Sequence, residues 1–287
     1  MKVIISDNIM YKGYRATAGS KMLEDFTAPY NAAIVDKLIA AGAKITVKPA
    51  MEEFATAIIS MCECDPKQGT CFSLRPSCGA LNRWGLITYS SSFDQPILQA
   101  KTIVELKKLF DAIRNVPPPE KKSPRIANIK DLKIKNFEFV ESAYTIIAAA
   151  ETASNLARYD GVKYGSVIKD AKNIDELYIK TRTQYFGDET KRRINLGNYV
   201  LSSENFESHF CKAKKVQAAL KRDMARIFEQ YDMIIMPTGQ QFSALASLIG
   251  APTLKTPSAK FLAMGKPFGD DVLLANTDAI ATTGGVK

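Results

Sequence analysis

No run of about 18 apolar residues occurs anywhere in the 287-residue chain, so a membrane-spanning helix is excluded. The opening Met-Lys-Val-Ile-Ile-Ser-Asp reaches an acid at Asp7, too early for a secretory signal. Histidine is nearly absent. His209 is the only one, and no cysteine or carboxylate constellation accompanies it, so it reads as a surface residue. Cysteine is scarce outside one stretch: Cys62, Cys64, Cys71 and Cys78 fall within 17 residues, and Cys211 stands apart. An odd count without a secretion signal points to a reducing compartment and free thiols. The C-x-C pair followed by two six-residue gaps is not a zinc-finger spacing. No metal and no cofactor is expected.

What is present can bury a sizeable core: 46% of residues are hydrophobic and 24% charged. The net charge of +9 is concentrated. Residues 101–135 carry ten Lys/Arg against four Asp/Glu, and residues 180–226 carry eleven against five. Two basic stretches on one fold suit RNA or another polyanion. The plainer reading is a pair of solvated helices with lysine-rich faces.

Local signals favour α/β organisation. Val3–Ile5 is a short β-branched strand. Thr27, before Pro29, reads as the cap of a helix carrying Ile34, Val35 and Leu38, with Gly42 as its stop; Lys44–Val47 then alternates like a strand. Thr102 and Glu105 form a capping box ahead of Leu106, Leu109, Phe110 and Ile113. Residues 115–131 are rich in Pro and Lys and are the best linker candidate. Asn173 starts another helix, and Ser202 or Ser203 caps a long one with Ala213, Leu220 and Met224 on its apolar side.

The stretch that organises the chain runs from Glu141 to Gly165. Its first half is rich in alanine, which suits a buried helix that lets other backbones approach closely. Ser154 and Asn155 must then find hydrogen-bond partners, and Gly161 is the turn. Tyr144–Gly165 resembles a signature of the A subunit of glutamyl-tRNA(Gln)/aspartyl-tRNA(Asn) amidotransferases, within the amidase signature family. Further landmarks are similar: Asp7-Asn8-Ile9, Thr17–Leu23, Leu74-Arg75-Pro76-Ser77 through Ile87, Thr181–Ile194, Met236-Pro237-Thr238 and Gly265-Lys266-Pro267-Phe268.

The resemblance also marks what is missing. The family pattern places a lysine, the base of a Ser–cis-Ser–Lys triad, immediately before Asp-Asn-Ile; here that position is Ser6. The glycine- and serine-rich motifs that supply the relay serine, the nucleophile and the oxyanion hole belong between Phe54 and Ser73. That interval holds one glycine, Gly69, and one serine, Ser60. Acyl transfer needs a nucleophile, a base and donors aimed at the oxyanion. Losing a member of a working triad costs about 10⁴–10⁶ in turnover.

The resemblance therefore implies an α/β fold with an amidase-signature-like mixed sheet flanked by helices, part of its core deleted. It implies one amidase-like domain over residues 1–287, interrupted at most by the 115–131 linker. An intact relative hydrolyses glutamine to supply ammonia for transamidation of misacylated tRNA; this chain is expected to lack catalytic residues. Arg182 is the candidate ligand of a glutamine carboxylate, because a guanidinium fork matches both oxygens. The implied partners are amidotransferase subunits B and C and, through them, tRNA, in the cytoplasm or an organelle of bacterial descent. The alternatives are a weak amidase using Ser60 or another serine, an RNA- or complex-binding scaffold acting through the basic helices, and a chain too depleted to fold.

Overall fold

A computed structural model describes residues 1–50, 52–61, 71–115, 124–257 and 260–278. The chain opens with β1 (Lys2–Ser6), which buries Val3 and Ile5. α1 (Ala33–Ala40) buries Ile34, Val35 and Leu38, and Gly42 leaves it at φ +73°. β2 (Lys44–Lys48) then lies parallel to β1, from Lys2 opposite Lys44 to Ser6 opposite Lys48. This is the predicted crossover, with one correction. Thr27 does not cap the helix; it pairs with Arg15 in an isolated bridge. Ala32 is the cap residue, and the Ala33 N–H is satisfied across the fold by the Trp84 carbonyl.

Three strands follow: β3 (Ile58–Ser60), β4 (Phe72–Arg75) and β5 (Ile97–Ala100). α2 (Ile103–Ile113) begins at the expected capping box, with Leu106, Leu109, Phe110 and Ile113 buried. The proposed linker is only partly described, since 116–123 lie outside the described residues. Its later part is not a tether: β6 (Ile126–Asn128) hydrogen-bonds in parallel to the strand at Met233–Pro237.

α3 (Val140–Leu156) is the predicted central helix. α4 (Ile174–Tyr185) starts at Asn173, whose side chain accepts the Glu176 N–H. α5 (Asp188–Leu201) follows. Ser202 does not start the next helix. It closes α5, and a π-helical turn over Phe206–Cys211 leads into α6 (Lys212–Gln230). His209 sits in that turn, half-buried, its ring edge-on to Tyr199, so it is not simply a surface residue. The chain continues with β7 (Met233–Pro237), α7 (Gln240–Ile249), β8 (Thr253–Lys255), β9 (Phe261–Gly265) and α8 (Asp270–Ala275).

The nine strands among the described residues form one mixed sheet in the order β2-β1-β3-β5-β4-β8-β9-β7-β6. β1/β2, β3/β5 and β6/β7 are parallel pairs; the other five junctions are antiparallel. The shortened intervals leave no break in this order. Strand alternation divides the core into two layers. Met233, Leu254 and Ala263 face a cluster with α1, α2 and α8, whereas Ile234, Met236, Leu262 and Met264 face one with α3, α6 and α7. A third cluster joins the loop around Ala16–Leu23 to Tyr159, Phe186 and Ile194.

The alanines of α3 do what their size predicts. A Cβ on Gly197 of α5 would stand 2.1 Å from the Ala149 carbonyl oxygen and 2.6 Å from the Ala153 methyl, so α5 packs directly on the backbone of α3. The thiol expectation holds at Cys78 and Cys211, which are free, and fails at Cys71, which is disulfide-bonded. Cys62 and Cys64 lie outside the described residues.

Candidate functional site

β1 ends where the resemblance expects a catalytic amine. Ser6 occupies that place, and its hydroxyl is committed locally: it donates to Asn8 Oδ1 at 2.5 Å and accepts from Ile58 N–H at 2.8 Å. Asn8 passes the connection on, donating to the Ala55 carbonyl. Asp7, also buried, accepts from Ala50 N–H and the Thr17 hydroxyl. The Ser6-Asp7-Asn8 turn thus ties β1 to β3 and to two loops. Ser60 is buried on β3 opposite Ile4, with the Ile5–Ile59 pair between it and Ser6.

A cavity of about 260 Å³ opens on the sheet face that carries α3 and α7. β4 contributes Ser73 and Arg75, and β8 contributes Thr253 and Lys255. These residues pair across the β4/β8 junction, Ser73 opposite Lys255 and Arg75 opposite Thr253, while Leu74 and Leu254 between them point into the other layer. Ser243 and Ser247 descend from α7, Tyr144 from α3, and Thr56 and Phe93 from the connecting loops. Arg75 donates to the Ser247 hydroxyl at 2.5 Å and to the Phe93 carbonyl at 3.1 Å. Burial holds its guanidinium below the usual arginine range and pushes the Tyr144 phenol up, so Tyr144 remains a neutral donor.

Beside this cavity a loop is latched to α3. Glu151 accepts from the Ser90 and Ser92 hydroxyls and from Ser92 N–H. Asn155, half-buried, donates to the Tyr89 carbonyl and the Ser91 hydroxyl, the kind of partners expected of it; Ser154 is simply exposed. Asp94 accepts the Tyr89 and Ser90 N–H groups. Its carboxyl is pushed up to about 6 by burial, against the pull of those two backbone donors.

Arg182 lies elsewhere, on α4. Its Nη1 donates to the Leu156 and Tyr159 carbonyls at 3.0 and 2.8 Å, and the guanidinium stacks 5.0 Å from the Phe186 ring centre. It therefore caps the C-terminal end of α3, where a cation is favoured. It borders a separate cleft of about 340 Å³ with Thr183, Lys191 and Asn195, and no described residue lines both cavities. Sequence reading missed the first cavity. Its only linear trace is the alternation Ser-Leu-Arg in β4 and Thr-Leu-Lys in β8, which puts polar residues on one face of each strand. Among the described residues no three His, Cys, Asp or Glu side chains are grouped to hold a metal ion, and no helix is long and apolar enough to cross a membrane.

Comparison with known proteins connects this geometry to a family. The model of the Amidase family matches residues 2–63 and 124–262. The glutamyl-tRNA(Gln) amidotransferase A subunit of Helicobacter pylori (strain P12) is 30% identical, over 93% of this chain and 83% of its own length. The protein of the same name from Thermosynechococcus vestitus is 31% identical, over 82% and 68% respectively. Among solved structures, the glutamyl-tRNA(Gln) amidotransferase A subunit from Thermotoga maritima has a TM-score of 0.67 at 19% identity, covering 96% of this chain and 81% of that one. A peptide amidase from Stenotrophomonas maltophilia has a TM-score of 0.70 at 16% identity, covering 98% and 82%. At those identities the two structures establish the shared fold alone.

Proposed function

The chain belongs to the amidase family, and on that premise we propose that it is a shortened relative of the amidotransferase A subunits that keeps the architecture without the glutamine-hydrolysing chemistry. One observation carries this reading. The position of the catalytic amine is a serine whose hydroxyl is bonded to Asn8 and Ile58. An alcohol cannot take a proton near neutral pH as a lysine of lowered pKa does. The test is ammonia release from glutamine by the purified full chain. Turnover should match buffer alone; glutamine hydrolysis that Ser60→Ala abolishes would make this chain an enzyme and end the proposal.

The partner reading follows from the same resemblance. We place the chain beside subunits B and C, with tRNA reached through them in the compartment where misacylated tRNA is made. A pull-down from native lysate that retains neither subunit would refute this. Arg182 remains the proposed carboxylate contact, since its Nε and Nη2 donors are not used among the described residues. Glutamine should then protect the wild-type chain against heat and fail to protect Arg182→Met.

A second reading draws on α6. Lys214, Lys215, Lys221 and Arg222 are all exposed along it. RNA retention that weakens with salt, and weakens further when Lys214 and Lys215 become Ala, would favour direct RNA contact.

A further inference from the structure

The cavity at the β4/β8 junction is lined by two cationic side chains and no carboxylate among the described residues. Arg75 makes no ion pair with any of them. Two of its five N–H donors are used, by Ser247 and the Phe93 carbonyl, and three remain. Among the described residues, Lys255 has no ion-pair or hydrogen-bond partner for its ammonium. The hydroxyls of Thr56, Ser73, Tyr144, Ser243 and Thr253, which line the same cavity from different elements, likewise lack a hydrogen-bond partner among the described residues. Asp94 is the carboxylate that acts electrostatically on Arg75, and it is held by the Tyr89 and Ser90 N–H groups instead.

Arg75, Lys255, Ser73, Tyr144 and Thr253 are half-buried, and Thr56 and Ser243 are exposed, so these donors face a space that a solute can reach. Here unspent donors of both kinds converge on one small space. We propose that this cavity binds a compact oxyanion, a phosphate or a carboxylate, with the Arg75 guanidinium as its anchor and Lys255 as the second charge. The fork of Arg75 takes two oxygens side by side, the hydroxyls supply further donors, and Ser247 fixes the guanidinium plane. About 260 Å³ admits a phosphate group or a short carboxylic acid and little more. Because Ser73 and Arg75 come from β4, and Thr253 and Lys255 from β8, the bound anion bridges the two strands. The proposal stands whether or not the chain hydrolyses glutamine.

Isothermal titration of the full chain at fixed ionic strength tests it, with inorganic phosphate in one arm and succinate in the other. Saturable one-site binding of either probe is expected, and the tighter arm identifies the oxyanion. Arg75→Met should weaken that binding about 10–100-fold, the scale of lost charge-assisted hydrogen bonds, and Arg75→Lys should weaken it less. Lys255→Met, at a half-buried position that leaves no hole in the core, should weaken it several-fold; it decides the matter if Arg75→Met does not fold. No saturable binding in either arm, or unchanged affinity in Lys255→Met, overturns the proposal.

Discussion

Single side chains in this molecule carry opposite pH signatures. Asp94 is held at about 6 by burial, above the ordinary aspartate value of 3.8. The folded state therefore binds the proton more tightly than the unfolded chain. The stabilisation from Asp94 is complete below about pH 4 and is lost as pH rises through 6. Asp270 has the same sign: burial beside Ser77 raises its carboxyl. Glu189, pulled down to about 2 by Arg192 and Arg193, acts oppositely: its contribution is present above about pH 4.5 and is lost as pH falls towards 2. Replacing Asp94 by Asn should flatten the decline in stability between pH 4 and 6, read as urea midpoints across that range. An unchanged slope would mean that Asp94 titrates normally. The Ser6 substitution was legible in the sequence; what Ser6 does instead was not, because its partner Ile58 is 52 residues away.

At the scale of elements, close approach rather than propensity sets the tightest contact. Adding a methyl to Gly197 drives it into the Ala149 carbonyl, a backbone atom that cannot swing aside. Gly197→Ala should destabilise the fold by about 1–3 kcal/mol or more, despite the better helix propensity of alanine. Thr102→Ala, which removes the capping box of α2, should cost about 0.5–2 kcal/mol. Chemical denaturation of both variants checks the order, and a stabilised Gly197→Ala would refute the packing. The alanine run of α3 announced this contact, and the Thr102 box announced its helix, because both are written within a few residues. Thr27 and Ser202 misled for the opposite reason. The start of α1 depends on the Trp84 carbonyl and the end of α5 on a π-helical turn, and neither has a local sequence sign.

Across the whole molecule, one sheet takes strands from Lys2 to Gly265. We therefore propose that the chain is a single domain and unfolds in one cooperative step. Circular dichroism and the fluorescence of Trp84, the only tryptophan, should give coincident transitions; two separated steps would divide the chain into domains. The family was legible through structural landmarks scattered along the chain. The oxyanion cavity was not, because its walls come from residues as far apart as Thr56 and Leu262.

The strand order has a consequence for biosynthesis. β1 to β5 form one contiguous half of the sheet and β6 to β9 the other, and they meet only where β4 pairs with β8. A ribosome thus completes the first half more than a hundred residues before Thr253–Lys255 emerges, and meanwhile the β4 edge lies open to stray strands. Chains released just before Thr253 should clump where the finished polypeptide stays dispersed, which makes the arrival of three late residues the step that chaperones must guard.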